Sequence, residues 1–150
     1  MAPERLRGDD LAQLVGFLSE VDLTSSGLDA PTVRLWVERN ERGDIVGSTG
    51  YELSEDGEHA LIRSVAVRPS ERSRGRGTAL AEFALGRAAA EGARRAWLFS
   101  RRSGPFWRGL QFERADLDDL ARVLAVTYQV RLFAESGRLH REVAWSRPLP

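Results

Sequence analysis

The chain has 150 residues, 42% of them hydrophobic and 29% charged, and its 22 basic residues balance 22 acidic ones. This composition is typical of a globular protein, and the length indicates one domain over residues 1–150. Zero net charge argues against a nucleic-acid or anionic-membrane partner. The absence of cysteine excludes disulfides, cysteine nucleophiles and thiolate metal sites.

No stretch of the sequence is as long and apolar as a membrane span, and the first residues lack the apolar core of a signal peptide. We therefore expect a cytoplasmic protein without a membrane partner. The two histidines, His59 and His140, lie far apart in the sequence, so we expect no bound metal.

A helix is predicted near the start of the chain, because Asp9 or Asp10 can cap its N-terminus. Its apolar residues are spaced to share one face: Leu11, Leu14, Val15 and Leu18. Two alternating stretches then predict a hairpin, with strands near Val33–Val37 and Ile45–Leu53. A third alternating stretch, Ala60–Val67, predicts the next antiparallel strand.

The second half of the sequence predicts further helices and strands in alternation. Ala79–Glu91 is rich in alanine and leucine and indicates a helix that ends near Gly92. Asp116 or Asp118 can begin another helix, and Val143–Trp145 is typical of a closing strand. This order of elements predicts a mixed sheet in a protein of the α/β (α+β) class.

The segment from Val67 to Thr78 carries the strongest functional signal. A strand leads into a turn rich in glycine and arginine, and a helix follows. Glycine lets the backbone turn and approach a ligand closely, while the first N–H groups of a helix have no partner within the helix. We therefore expect a phosphate or pyrophosphate group at this helix N-terminus.

The spacing of the glycines excludes two common phosphate loops. A Walker A loop requires a lysine, and the chain has none. A dinucleotide-binding fingerprint requires a third glycine where this chain has Leu80.

The run Arg72-Ser73-Arg74-Gly75-Arg76-Gly77, preceded by Val67-x-Pro69, resembles the acetyl-CoA loop of the GNAT superfamily of N-acetyltransferases. Phe106–Phe112 is similar to that family's Phe-Tyr-x-x-Leu-Gly-Phe segment, with two departures. Trp107 replaces a tyrosine that often acts as general acid, and Gln111 replaces the glycine. Trp107 cannot donate a useful proton. The resemblance implies a single-domain GNAT fold, with helices flanking a mixed, mostly antiparallel sheet, and acetyl-CoA as cosubstrate.

Within this family the chain most resembles the arsinothricin-resistance N-acetyltransferases and the acetyltransferase domain of N-acetylglutamate synthase. The shared residues include Gly27-Leu28-Asp29, Leu61–Val67 and Thr127-Tyr128-Gln129. This likeness implies that the acceptor is the α-amino group of a small, carboxylate-bearing amino acid or analogue, which attacks the thioester directly.

The resemblance also implies which residues hold the cofactor. A backbone N–H on the strand before the loop would bind the thioester carbonyl oxygen. The residues expected to bind the cofactor are Val65, Ala66, Val67, Arg72, Ser73, Arg74, Gly75, Arg76, Gly77, Thr78 and Phe106.

Arg63 and Arg102 are the candidate substrate-binding residues. Alternation along the strand predicts that Arg63 shares a face with Val65 and Val67, where it could grip a carboxylate with two hydrogen bonds. The alternative is a structural ion pair between Arg63 and Glu52. Arg102 matches an arginine of the amino-acid acetyltransferases, or it lies in a solvated loop.

Glu52 and Tyr128 are the candidate catalytic residues. Glu52 could take a proton from the incoming ammonium, directly or through water, or could instead pair with Arg63. Tyr128 could replace the missing acid, or it could be a packed tyrosine of a helix. His59 begins its strand beside a turn, which favours a solvated or capping histidine over a catalytic one.

Three other functions remain open. The enzyme could acetylate another amine or a protein N-terminus, and the replacement of tyrosine by Trp107 is consistent with an inactive acyl-CoA-binding sensor. RNA binding by the Arg72–Gly77 loop is disfavoured by the zero net charge. The expected partner is thus a small-molecule amine, and a homodimer is a possible assembly.

Overall fold

The computed structural model describes residues 3–20, 28, 32–71 and 75–150. Its strands are β1 (Glu4–Arg5), β2 (Val33–Arg39), β3 (Ile45–Leu53), β4 (His59–Val67), β5 (Arg95–Phe99), β6 (Glu113–Ala115) and β7 (Ala144–Pro148). These seven described strands form one central sheet in the order β1-β2-β3-β4-β5-β7-β6. The helices are α1 (Leu11–Glu20), α2 (Arg76–Ala90), α3 (Gly104–Gly109), α4 (Leu117–Val123) and α5 (Tyr128–Glu135).

The sheet is mostly antiparallel, as expected. β1 to β4 pair antiparallel in sequence order, and β7 pairs antiparallel with both β5 and β6. Only β4 and β5 are parallel, because α2 connects them as a crossover. Glycines in the left-handed conformation close the turns on either side of β3, with φ of 85° at Gly43 and 76° at Gly57.

Helices cover both faces of the sheet. On one face α2 packs its alanines and leucines against Trp36, Tyr51 and Ile62. On the other face α1 packs on Leu35 and Val37. Farther along that face α4 and α5 cover Leu61 and Trp97 through Leu120, Leu124 and Val130. Among the described residues, no helix is both long and apolar enough to cross a membrane.

Four sequence-based expectations need correction. The buried face of α1 includes Phe17, which is 3% exposed, whereas Val15 is 37% exposed. α2 begins at Arg76 instead of Ala79. Asp116 does cap a helix, but the chain turns after α4 and a second helix, α5, follows with Thr127 as its cap. The two-residue strand β1 was not predicted, since it is too short to show alternation.

β4 and β5 separate partway along their length, and this separation positions the site. Their parallel pairing runs from His59 with Arg95 to Leu61 with Trp97. Beyond that point the two strands diverge, and residues from both line a cavity. The chain leaves β4 beside this cavity and enters α2, so the glycine-rich turn also lies at its edge.

A β-bulge in β4 overturns the expected face of Arg63. β4 has two residues between Arg63 and Ala66, whereas β3 has one between their partners Gly50 and Ser48. The β3 residue that pairs with Arg63 therefore lies three positions from the β3 residue that pairs with Val67. Since side chains alternate along a strand, Arg63 lies on the opposite face from Val67.

Candidate active site

The cavity between β4 and β5 has a volume of about 600 Å³. Its walls come from β4, the start of α2, the end of β5, α3 and the start of α5. At one end lie Gly75, Gly77 and Thr78, and elsewhere on its wall lie Arg63 and Gln129. A cavity of this size, lined by both apolar and polar groups, is typical of a small-molecule or cofactor site.

The N-terminus of α2 is built to receive an anion. Gly75 is its N-cap, with a φ of 85° that favours glycine. The first helical hydrogen bond runs from the N–H of Ala79 to the oxygen of Gly75. The N–H groups of Gly77 and Thr78 therefore precede the internal ladder of the helix, and both residues line the cavity. A 15-residue helix also adds the positive end of its dipole.

Of the three arginines in the glycine-rich loop, Arg76 is the one that the structure describes. Arg76 is held to the preceding turn, with its Nη1 3.2 Å from the carbonyl oxygen and 3.5 Å from Oε2 of Glu71. Arg72, Ser73 and Arg74 lie outside the described residues.

α3 supplies the aromatic wall that faces the glycines. A Cβ atom at Gly77 would lie 3.7 Å from Cε1 of Phe106, in ordinary van der Waals contact, so the glycine leaves a methyl-sized gap beside the ring. Phe106 and Trp107 both line the cavity and pack edge to face. Trp107 packs in the same manner on Phe112 and is 7% exposed, so its main contribution is to packing.

The bulge in β4 is held by a side chain of β3. Ser64 has a φ of 60°, unusual for a residue other than glycine. Its carbonyl oxygen accepts a hydrogen bond of 2.6 Å from the hydroxyl of Ser48, which is fully buried. Val65, Ala66 and Val67 follow the bulge and line the cavity. The bulge thus sets how the expected carbonyl-binding segment faces the cavity.

Glu52 and Arg63 form the ion pair that was the alternative to their functional roles. Arg63 Nη1 lies 3.2 Å from Glu52 Oε2, and both side chains are almost fully buried. Burial lowers the pKa of Arg63, and the Glu52 carboxylate opposes this shift by favouring the charged form. The arginine nevertheless also lines the cavity, so the pair stands in its wall.

Glu52 has further partners at the start of α5. It accepts hydrogen bonds from the backbone N–H of Tyr128 at 2.6 Å and of Gln129 at 3.2 Å, and from the hydroxyl of Thr32 at 3.2 Å. Together with Arg63, four donors therefore contact this carboxylate, which has no exposed surface. The geometry argues against Glu52 as the base and favours its role in fastening α5 to the sheet.

The other candidate residues lie apart from the cavity lining. Tyr128 is 38% exposed at the first turn of α5, and Arg102 is exposed beyond the end of β5. His59 accepts a hydrogen bond of 3.0 Å at Nδ1 from the indole of Trp97, consistent with the non-catalytic role favoured for it. Among the described residues, no group of histidines and acids is arranged to hold a metal ion.

The sequence profile of the Acetyltransferase (GNAT) family matches residues 10–111, more than half of the chain. The chain belongs to the acetyltransferase (GNAT) family. It is therefore an acyltransferase, as predicted, and the predicted family is confirmed. No curated protein is similar enough in sequence to count as a match.

Solved structures share the fold of this acetyltransferase at low sequence identity. A GNAT-family acetyltransferase of Staphylococcus aureus is 12% identical, with a TM-score of 0.77 and 99% of both chains covered. A Mycobacterium tuberculosis protein solved with CoA is 17% identical, with a TM-score of 0.76 and 100% of both chains covered.

A third similar structure is that of a longer protein, N-acetylglutamate synthase from Neisseria gonorrhoeae, solved with coenzyme A and N-acetyl-glutamate. It is 18% identical, with a TM-score of 0.74 over 99% of this chain, which spans only 35% of that protein. These likenesses confirm the predicted fold class.

Two residues of the candidate site were missed by the sequence analysis. Ser48 lies in an ordinary alternating strand, and only the one-residue register shift reveals its role. Gln129 lines the cavity, although it was noted only as part of the Thr127-Tyr128-Gln129 run. The signal that could have found it is Thr127, a good helix cap, which places Gln129 in the first turn of a helix.

Proposed function

We propose that the protein is an acetyl-CoA-dependent N-acetyltransferase that acetylates the amino group of a small, carboxylate-bearing molecule by direct attack on the thioester. One observation carries this proposal: a single cavity is lined both by the N-terminus of α2 and by the buried cation Arg63. The helix N-terminus suits an anionic acetyl donor, and the Arg63 guanidinium suits an anionic acceptor.

The donor side rests on the fit between the residues present and a pyrophosphate-bearing thioester. Gly75 gives the turn its left-handed conformation, and Gly77 leaves a gap below Phe106. The edge of β4 beyond Leu61, which faces the cavity, can bind amide groups of an extended ligand as another strand would. A backbone N–H of the Val65–Val67 segment would stabilise the negative charge that develops on the carbonyl oxygen.

The acceptor side rests on Arg63. A carboxylate that reaches the guanidinium in this buried wall would form a charge-assisted hydrogen bond, stronger than one between neutral groups. The bound ligands of the similar Neisseria gonorrhoeae enzyme, coenzyme A and N-acetyl-glutamate, support an acceptor of this class. Arg102, exposed outside the cavity, is the weaker candidate for contact with the acceptor.

Proton transfer in this proposal needs little from the protein. Because Glu52 already accepts four hydrogen bonds, we expect the acceptor ammonium to lose its proton to solvent. Activity should then rise with pH as the free amine accumulates, without a plateau near neutrality. Tyr128 is the proposed acid for the departing thiolate, although it is exposed at the start of α5 and lies outside the cavity lining.

The test is thiol release from acetyl-CoA with a panel of amines, including amino acids, their α-carboxamides and short peptides. The protein has no cysteine, so a thiol reagent reports only the released CoA. Release that depends on a carboxylate-bearing amine is the expected result. Turnover with peptides alone would indicate acetylation of protein N-termini, and acetyl-CoA binding without any turnover would indicate an acyl-CoA-binding sensor. We expect the reaction to take place in the cytoplasm, with no metal.

A further inference from the structure

Gln129 is a buried polar residue for which the fold provides no hydrogen-bond partner. It is 8% exposed and lines the cavity. Its backbone N–H donates to Glu52 Oε2, but its carboxamide has no partner within the described parts of the chain. Because Gln129 lines the cavity, its carboxamide is available to bind a group that enters there.

The start of α5 does not need this side chain for capping. Thr127 is the N-cap, and its hydroxyl accepts from the N–H of Val130 and donates to the carbonyl oxygen of Leu124. Glu52 accepts from the N–H groups of Tyr128 and Gln129. Since the backbone donors of the first turn are thus bound, the carboxamide of Gln129 has no structural task there.

Gln129 and Arg63 both donate a hydrogen bond to the same oxygen atom of Glu52. Glu52 Oε2 is 3.2 Å from Arg63 Nη1 and 3.2 Å from the backbone nitrogen of Gln129, so the two residues are neighbours in the cavity wall. Glu52 neutralises the charge of Arg63, which weakens the attraction of the arginine for a second carboxylate. A neutral donor beside the arginine would restore binding without adding another buried charge.

We propose that Gln129 is the specificity-determining residue for the acceptor and that its carboxamide N–H binds the acceptor carboxylate together with Arg63. This inference rests on the proposed acetyltransferase function and adds the residue that selects the acceptor. The matching substrate class is a small amino acid with a free α-carboxylate. An acceptor that lacks the carboxylate, such as an α-carboxamide or a plain amine, cannot form this charge-assisted contact with Arg63 and Gln129.

The experiment compares Gln129→Glu with the parent enzyme on the twenty L-amino acids and their α-carboxamides. Glutamate has nearly the same shape as glutamine, but it places a negatively charged carboxylate beside the carboxylate of the acceptor. We expect kcat/KM for the amino acids to fall about tenfold to a hundredfold, mainly through KM. The α-carboxamides should change less than about threefold, and so should KM for acetyl-CoA.

A matched control and a second variant complete the test. Gln111→Glu makes the same charge change at an exposed position after α3 and should leave the acid-to-amide ratio as in the parent. Gln129→Met keeps the volume without hydrogen bonding and should lose part of the preference for acids. It remains informative if Gln129→Glu folds poorly, which circular dichroism and acetyl-CoA calorimetry would reveal.

Each remaining outcome separates the two proposals. An acid-to-amide ratio unchanged in both Gln129 variants overturns the inference but leaves the acetyltransferase function standing. A parent enzyme that acetylates acids and α-carboxamides equally also overturns it. A parent enzyme that binds no acetyl-CoA, or releases no CoA with any amine, overturns the proposed function itself.

Discussion

The hydroxyl of Ser48 on β3 donates a hydrogen bond of 2.6 Å to the carbonyl oxygen of Ser64 on β4. Ser64 lies in the bulge, in a left-handed conformation that is strained for any residue other than glycine. A bulge removes a carbonyl group from the regular ladder, and Ser48 provides the donor that the ladder no longer supplies. This bond fixes the direction in which β4 continues toward the cavity.

Ser48→Ala is therefore expected to lower kcat roughly tenfold to a hundredfold, because the carbonyl-binding segment loses its fixed position. The matched control is Thr49→Val, since Thr49 is equally buried and donates 2.8 Å to the oxygen of Leu80 instead. Both variants should lose about 1–2 kcal/mol of unfolding free energy, measured in urea. Equal kcat values for the two variants would show that the bond matters only for stability.

Gly77→Ala should weaken acetyl-CoA binding about tenfold or more while leaving the protein at least as stable. Alanine favours a helix by about 1 kcal/mol over glycine, but the new Cβ would fill the gap below Phe106. Gly86→Ala lies in the same helix, where a Cβ would contact nothing within 4 Å. Calorimetric titration of both should show a loss only for Gly77→Ala, and an unchanged dissociation constant there would count against this glycine-lined gap as the cofactor cradle.

Glu52→Gln is expected to destabilise the protein by about 3–5 kcal/mol, because it removes the carboxylate that pairs with the buried Arg63. The double variant Glu52→Gln/Arg63→Met should lose less than the sum of the two single changes. The exposed pair Arg122 and Asp119, at a similar distance of 3.1 Å, should contribute at most about 1 kcal/mol. Additive losses for Glu52 and Arg63 in urea unfolding would contradict the coupling.

Glu38→Gln should stabilise the protein more at neutral pH than at pH 4. Glu38 is 7% exposed, its Oε1 has no hydrogen-bond partner among the described residues, and burial raises the pKa of its carboxyl. The folded state therefore holds this proton more tightly than the unfolded chain does. The resulting stability is complete below the ordinary carboxyl pKa and is lost as pH rises through the raised value.

Urea unfolding at pH 4 and pH 7 measures this effect, with Glu113→Gln as the control on an exposed strand position. A glutamine at position 38 cannot ionise, so the variant should lack the decline toward neutral pH. Parallel pH profiles for the parent and Glu38→Gln would show that Glu38 ionises in the folded state as freely as in the unfolded one.

The elements that the sequence predicted well are those whose signal is local. The turn at Gly75 follows from the conformational freedom of glycine, and α2 follows from a run that is rich in alanine and leucine. The cap of α4 at Asp116 was also predictable, because a carboxylate there accepts from the N–H of Asp119.

The features that the sequence could not supply depend on pairing between distant segments. A one-residue bulge does not change the composition of β4, so the expected face of Arg63 was wrong. The choice between an ion pair and a substrate contact for Arg63 depends on where α5 docks, since Glu52 binds that helix as well. The break between α4 and α5 is similarly weak in the sequence, where apolar residues continue through Leu124 and Val126.

The bond from Tyr128 to Glu52 spans 76 residues of chain, whereas the strand, turn and helix around Gly75 are contiguous. The two ends of the cavity therefore differ in how they can open. Local unfolding of α5 would break the contacts with Glu52 and expose the part of the cavity next to Arg63, while the hydrogen-bonded ladder of α2 stays closed. In hydrogen exchange, the amides of α5 should accordingly exchange sooner than those in the middle of α2. Under the proposed function, the acceptor could then enter and leave while the cofactor stays bound at the helix N-terminus.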